Sequence, residues 1–313
     1  MKPDIILVEP MMAPIEAALD ADYQVHRLFR AEDPAALLAE VGPKVRAVVT
    51  GGGTGVSSAL FDSLPHLGII AINGIGTDAV DLERARHQGV RVTTTPGVLT
   101  DDVADVAIAL MLASCRRVAE GDRLVRAGAW AQGKRLALGR SISGKRVGIF
   151  GLGQIGQAIA RRAEAFSMQI RYFNRSDVPN VPWSRAESLE ALARDSDILV
   201  VSVAGGAQTR GLVNREVLNA LGPEGILINV ARGSVIDEPE LASALKEGRI
   251  WGAGLDVFAH EPQVPEEFFE LDNVVLMPHQ GSATIETRLA MGELVLRNVA
   301  AYFAGQELPS AVV

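Results

Sequence analysis

The chain has 313 residues, of which 48% are hydrophobic and 22% charged, a balance that excludes global disorder. At about 100–200 residues per domain, this length predicts two domains, each with a core that needs no covalent staple. The formal net charge is −8 without a Lys/Arg stripe, so nucleic acid is not expected as a partner, and the single cysteine, Cys115, excludes an intrachain disulfide and suits a cytoplasmic setting.

The first apolar run, 5–8, is too short for a signal peptide and leads into Glu9-Pro10. The longest apolar stretch, 103–115, contains Asp105 and is too short to span a bilayer, so no membrane association is expected. Short apolar runs predict strands at 5–8, 25–29, 47–50, 68–72 and 90–93, with helix-like stretches such as 57–64 and 79–88 between them. One long helix is expected over 101–127, with Thr100 or Asp101 as N-cap and Gly128 as stop. After Ser143-Gly144-Lys145 the pattern restarts, with about six strands at 146–150, 170–173, 198–203, 225–230, 254–258 and 273–277, and a last helix covers 284–304. Strands alternating with helices imply right-handed βαβ units. The predicted fold class is therefore α/β, with two Rossmann-like or flavodoxin-like domains built on parallel sheets.

Gly151-Leu152-Gly153-Gln154-Ile155-Gly156 follows a predicted strand and opens a predicted helix. That context gives the GxGxxG spacing its meaning: Gly151 for the tight turn, Gly153 for close approach of a pyrophosphate, and Gly156 for helix-on-strand packing. The helix N-terminus adds N–H donors and the positive end of a dipole. A methyltransferase adenosine pocket is the other use of such a turn. The next strand ends in Asn174-Arg175-Ser176, without the carboxylate that usually bonds the ribose of NAD. Arg175 can pair with a 2′-phosphate, with Asn174 and Ser176 donating hydrogen bonds, so NADP(H) is the expected cofactor. One charge-assisted bond of ~1.5–3 kcal/mol corresponds to roughly a 10–100-fold preference. Asp177, if it swung in, would favour NAD.

Three polar residues follow three late strands: Arg232 in Asn229-Val230-Ala231-Arg232-Gly233, Glu261 in Phe258-Ala259-His260-Glu261-Pro262, and His279 in Met277-Pro278-His279-Gln280-Gly281. Ligands of open α/β sheets bind outside these carboxyl ends. Carbonyl reduction needs these residue types. A guanidinium binds and polarises the carbonyl or carboxylate, an imidazolium protonates the forming alkoxide, and a carboxylate orients that ring and stabilises its cation. His260 competes with His279 for the acid/base role, whereas His26, His66 and His87 read as surface residues. No His or Cys pair has metal-ligand spacing, so no metal is expected. No GxSxG elbow is present and Cys115 sits mid-helix, which argues against nucleophilic catalysis.

With Asn73-Gly74-Ile75-Gly76-Thr77-Asp78, Thr95-Pro96-Gly97 through Asp105, the glycine turn, 229–236, 254–262 and 278–284, the chain resembles the D-isomer-specific 2-hydroxyacid dehydrogenases over nearly its whole length. Within that family it is most similar to the NADPH-dependent glyoxylate/hydroxypyruvate reductases and the related hydroxyphenylpyruvate reductases. The resemblance implies catalytic roles for Arg232, Glu261 and His279. It also implies a substrate carboxylate held by backbone N–H groups near Gly52, Gly53, Ile75 and Gly76. Further cofactor contacts are implied at Leu152, Gln154, Ile155, Val203, Ala204, Thr209, Val230, Asp256 and Gly281; Asp256 could instead cap the next turn. The implied domains are 1–99 with 282–313 for substrate and 100–281 for dinucleotide, with the active site in a cleft between them. A homodimer interface is implied around 101–140, with Trp130 as a candidate anchor or, alternatively, packed within the chain. The expected reaction is NADPH-linked reduction of a small 2-keto acid to the D-2-hydroxy acid. Hydroxyphenylpyruvate or another keto acid is the alternative substrate, and a nucleotide-sensing, corepressor-like binding protein is the alternative of another class.

Overall fold

The computed structural model describes residues 2–313; Met1 lies outside the described residues. The chain folds into two compact units, one holding the residues up to Leu99 together with Ala283–Val313, the other Thr100–Ser282.

The first unit contains β1 (Asp4–Leu7), α1 (Ala13–Asp22), β2 (Gln24–Arg27), α2 (Pro34–Val41), β3 (Val45–Gly51), α3 (Ser58–Asp62), β4 (Ile69–Asn73), α4 (Leu82–Gln88) and β5 (Arg91–Thr93). All its strand pairs are parallel, in the order β2-β1-β3-β4-β5. Ile5, Ile6, Leu7, Val48, Val49, Ile69 and Ile70 are buried whichever face they point to, as a sheet covered on both sides requires. Short polar side chains start the helices. Asp33 accepts the Ala35 and Ala36 N–H groups ahead of α2, whose first residue is Pro34, and Ser57 and Asp81 cap α3 and α4 in the same way.

The second unit contains α5 (Thr100–Cys115), α6 (Val118–Arg126), β6 (Arg146–Phe150), α7 (Gln154–Glu164), β7 (Gln169–Phe173), β8 (Ser184–Arg185), α8 (Leu189–Arg194), β9 (Ile198–Val201), α9 (Arg215–Leu221), β10 (Ile226–Asn229), α10 (Glu238–Lys246), β11 (Gly252–Leu255) and β12 (Val274–Leu276). Its sheet is parallel in the order β12-β11-β10-β9-β6-β7-β8. The chain then returns to the first unit as α11 (Ile285–Phe303), capped by Thr284 and packed on β4 and α1.

Three expectations are corrected here. The helix expected over 101–127 is two helices, broken at Arg117, which adopts a left-handed φ of 53°. Neither Gly nor Pro marks that break; the Arg117 guanidinium pairs with Glu120 three residues on at 2.5 Å and stands over the ring of Trp251, a contact across more than a hundred residues that leaves no local trace in sequence. The second sheet has a seventh strand, β8, whose two residues are too few for alternation to register. His26 is not a plain surface residue, because its ring bonds Asp4 across the β1–β2 pair at 2.8 Å. Among the described residues no helix is long and apolar enough to cross a membrane.

The C-terminal tail is held to the first sheet by main-chain bonds between Thr94 and Ser310 and between Val92 and Val312, and to α11 by one buried amide. Asn298 on α11 donates to Ser310 Oγ at 2.8 Å and accepts from the Ser310 N–H at 3.2 Å, while Ser310 Oγ donates to the Thr94 carbonyl at 2.6 Å. Asn298→Ala leaves these partners unsatisfied and is expected to lower stability by about 1–3 kcal/mol, read as a lower urea midpoint.

Candidate active site

In each sheet the strand order reverses once, and a crevice for ligand forms at that switch point. In the second sheet the reversal lies between β6 and β9. The β6–α7 turn there has the geometry that its glycines demand. Gly151 has φ 102°, and a Cβ on it would strike the Val203 backbone beyond β9. A Cβ on Gly156 would meet the Gly151 carbonyl, so helix and strand touch through bare backbone. Gly153 faces open space, and as N-cap of α7 it leaves the first-turn N–H groups without a side-chain acceptor. Two sites packed by bare backbone flank one left open at a helix N-terminus, an arrangement that fits a pyrophosphate.

Around this turn, Gln154 and Ala204 are exposed, Ile155, Val203 and Thr209 are partly buried, and Leu152 and Val230 are buried. Thr209 donates its hydroxyl to the Ala204 carbonyl at 2.8 Å, which shapes the loop after β9. Asn174 faces inward: its Oδ1 accepts the Leu152 N–H at 2.6 Å, so it fixes the glycine turn rather than presenting that oxygen outward. Arg175 and Ser176 are exposed, and Arg175 reaches Gln208 at 2.5 Å. Asp177 does not swing toward the turn; it pairs with Arg185 at 3.2 Å.

The three catalytic candidates lie on loops that follow β10, β11 and β12, which are neighbours in the sheet. His279 Nδ1 meets Glu261 Oε2 at 2.6 Å, and Glu261 Oε1 accepts the Phe258 N–H at 2.9 Å. Burial alone would raise the Glu261 carboxyl. The hydrogen bond from His279, the Phe258 amide, and the charges of His279 and Arg232 outweigh that and hold it below its ordinary value of 4.5. An ionised carboxylate accepts only, so Nδ1 carries a proton and Nε2 is the nitrogen left for chemistry. His260, by contrast, is exposed, and the bond to Glu261 is made by His279.

His279 sits at φ 53°, a conformation a non-glycine residue holds only when its surroundings enforce it. Asp256 does the enforcing. Its carbonyl accepts the His279 N–H at 2.8 Å, and its two carboxylate oxygens accept the Gln280 and Gly281 N–H groups at 2.6 and 2.8 Å. Burial pushes this carboxyl above its ordinary range despite those amides. Of the two uses open to Asp256 in sequence, capping the turn is the one its geometry displays. Arg232 is placed by Asn229, which accepts the Ala231 N–H and donates to the Arg232 carbonyl, both at 3.0 Å. Gly233 then lies so close to the Phe258–Ala259 backbone that any Cβ would collide with it. Behind that segment, buried Glu238 accepts the Ala259 N–H at 2.8 Å.

In the first sheet the order reverses between β1 and β3. Gly51, Gly52 and Gly53 follow β3, and Gly74, Ile75 and Gly76 follow β4. The two loops lie backbone to backbone, with a Cβ built on Gly74 only 3.3 Å from the Gly52 nitrogen. Gly53 faces open space, and Ile75 is exposed. Glu9, beyond β1, packs on Gly51 and accepts the Thr54 hydroxyl.

Residues 108–281 match the model of the D-isomer specific 2-hydroxyacid dehydrogenase NAD-binding domain. The chain belongs to the D-isomer specific 2-hydroxyacid dehydrogenase family. This 2-hydroxyacid dehydrogenase is 49% identical to a hydroxyphenylpyruvate reductase of Plectranthus scutellarioides over 99% of this chain and 98% of that one. It is 44% identical to a 2-ketogluconate reductase of Gluconobacter oxydans over 100% and 99% of the two chains. Among solved structures, it matches the NADPH-dependent glyoxylate/hydroxypyruvate reductase of Sinorhizobium meliloti, in complex with NADP and malonate, with a TM-score of 0.94 at 40% identity over 100% and 97% of the chains. The family's NAD-binding domain in this chain thus contains the glycine turn, Arg232, Glu261, His279 and Gly281.

Several residues of this dehydrogenase escaped sequence reasoning: Asn229, Glu238, Gln208, Arg185 and Glu9. Asn229 could have been found, since an Asn at a strand end readily bonds the backbone two residues on. Glu238, Gln208 and Glu9 act across 21 to 45 residues, and Arg185 acts from a neighbouring strand eight to eleven residues on, so none carries a local mark. Cys115 is buried, and burial pushes its thiol up to about 11, so it holds no thiolate at neutral pH.

A carboxyl held below its unfolded value adds stability that is complete above that value and lost as pH falls through the folded one. The melting-temperature gap between the wild type and Glu261→Gln is therefore expected to be open at neutral pH and to close as pH drops below 4.5. Gly233→Ala, which pushes the Arg232 loop off the Glu261 segment, is expected to lower kcat by about 10²-fold while leaving nucleotide affinity intact.

Proposed function

We propose that the protein is an NADPH-dependent reductase of small 2-keto acids, glyoxylate and hydroxypyruvate foremost, yielding the D-2-hydroxy acids. The observation that carries this reading is the 2.6 Å His279–Glu261 bond, which joins the loops after β12 and β11 beside the loop after β10 that carries Arg232. When bound, the reduced nicotinamide supplies a hydride to the carbonyl carbon. Arg232 binds and polarises the carbonyl as negative charge gathers on its oxygen. His279 gives that oxygen a proton from Nε2, and Glu261 stabilises the imidazolium before the transfer. The Gly52, Gly53, Ile75 and Gly76 backbone N–H groups take the substrate carboxylate. In this reading residues 100–281 form the dinucleotide domain, and 1–99 with 282–313 the substrate domain.

Preference for NADPH is supported by the exposed Arg175 and by the absence of a carboxylate from the end of β7. A homodimer is part of the same proposal. Val125, Trp130 and Leu138 are 57%, 67% and 93% exposed, and so much bare apolar surface in one segment suits a covered interface, with Trp130 its anchor rather than a residue packed within the chain. A cytoplasmic setting also belongs to this reading, consistent with a lone buried thiol.

The deciding experiment runs a keto-acid panel, including hydroxyphenylpyruvate and 2-ketogluconate, against both reduced nucleotides. Glyoxylate and hydroxypyruvate are expected to lead, with kcat/KM for NADPH roughly 10–100-fold above that for NADH. Equal or better use of NADH would overturn the cofactor assignment, and absence of turnover across the panel would favour a binding protein. His279→Ala is expected to cut kcat by ~10²–10⁴-fold while NADPH still binds; retained activity would remove His279 from the mechanism.

A further inference from the structure

The turn after β7 carries two opposite charges, Arg175 and Asp177, and their effects on a bound nucleotide would oppose each other. A carboxylate at this position welcomes the ribose hydroxyls of NADH and repels the 2′-phosphate of NADPH. A guanidinium does the reverse. One of the two, Asp177, is held by a residue from another strand.

That residue is Arg185. It lies on β8 beside Tyr172 of β7, and its guanidinium turns back over the end of β7. Nε donates to the Asn174 carbonyl at 2.9 Å, Nη2 to the Arg175 carbonyl at 3.0 Å, and Nη1 reaches Asp177 Oδ1 at 3.2 Å. Three groups of one turn are thus collected by a single planar side chain, which also stands over the Phe173 ring. The same turn is tied to the glycine loop through Asn174 and Leu152, and the Arg175 side chain is steadied by Gln208 at 2.5 Å. Arg185 therefore takes up the turn's carboxylate and fixes its backbone, while Arg175 stays exposed.

We propose that Arg185 is a positioning residue that determines nucleotide specificity: by holding Asp177 and the carbonyls of Asn174 and Arg175, it keeps the carboxylate off the 2′-phosphate and leaves Arg175 to meet it. This rests on the proposed use of NADPH. An exposed ion pair by itself contributes little. The effect comes from the rigid fork spanning three acceptors, a task that a lysine cannot perform.

The test compares Arg185 variants, with and without Asp177→Asn, in the full chain, reading kcat and KM for NADPH and NADH with the best keto acid of the panel. Arg185→Ala is expected to lower the NADPH/NADH ratio of kcat/KM about tenfold, through a higher KM for NADPH rather than a lower kcat. Asp177→Asn placed on Arg185→Ala is expected to restore most of that ratio, because the released carboxylate is gone. Arg185→Lys, which preserves charge and guards against misfolding, is expected to fall between the two. A wild type that prefers NADH overturns the NADPH reading and this inference with it. A wild type that prefers NADPH, with an unchanged ratio in Arg185→Ala, overturns the inference alone. So does an equal loss with both nucleotides, which marks a merely structural role, or a double variant without recovery.

Discussion

The hydrogen bond between His279 Nδ1 and Glu261 decides which imidazole nitrogen is left open, and much of the second sheet's carboxyl edge is arranged to hold it. His279 adopts a left-handed backbone that Asp256 secures with three main-chain contacts. Glu261 is fixed from its own loop by the Phe258 amide, and that loop is backed by Glu238 and pressed against Gly233. The supports are buried carboxylates, a main-chain amide and a glycine at a backbone contact. In such surroundings a misplaced polar group is costly, so the geometry is enforced rather than merely permitted.

Both sheets use the same topological device with different chemistry. Where the order reverses between β6 and β9, the chain sets a glycine turn against a helix N-terminus. Where it reverses between β1 and β3, it sets a triple-glycine loop whose backbone lies against the next loop. In each case glycines let main-chain donors come within reach of an anion without a side chain intervening.

The alternation of apolar runs and helices made the two parallel sheets legible, because strands buried on both faces must be apolar at nearly every position. The glycine turn and the Arg232, Glu261 and His279 loops were legible because their residue types stand just past strand ends. The predicted strands 198–203, 225–230 and 254–258 ran one to three residues beyond the observed ends, into the loops that follow, where Val203, Val230, Val257 and Phe258 continue the apolar pattern without strand pairing. What stayed hidden was tertiary in origin: the break at Arg117, the two-residue β8, and the grip of Arg185 on a turn eight to eleven residues earlier.

In the proposed reading, the two recognition devices see only what every 2-keto acid shares. Glycine amides would read a carboxylate and the Arg–Glu–His group a carbonyl, the two groups that every 2-keto acid carries. A scaffold of this kind can serve different acids with its catalytic parts unchanged, and relatives at 44–49% identity bear the names of reductases for an aromatic and for a sugar-derived keto acid. Choice of substrate must then lie with side chains at the rim of the glycine loops. In this chain Glu9, packed on Gly51 and holding the Thr54 hydroxyl, is a charged group set against that loop along the β1–β3 edge. A fixed carboxylate there disfavours a second negative charge on the substrate and accepts hydrogen bonds from hydroxyl groups.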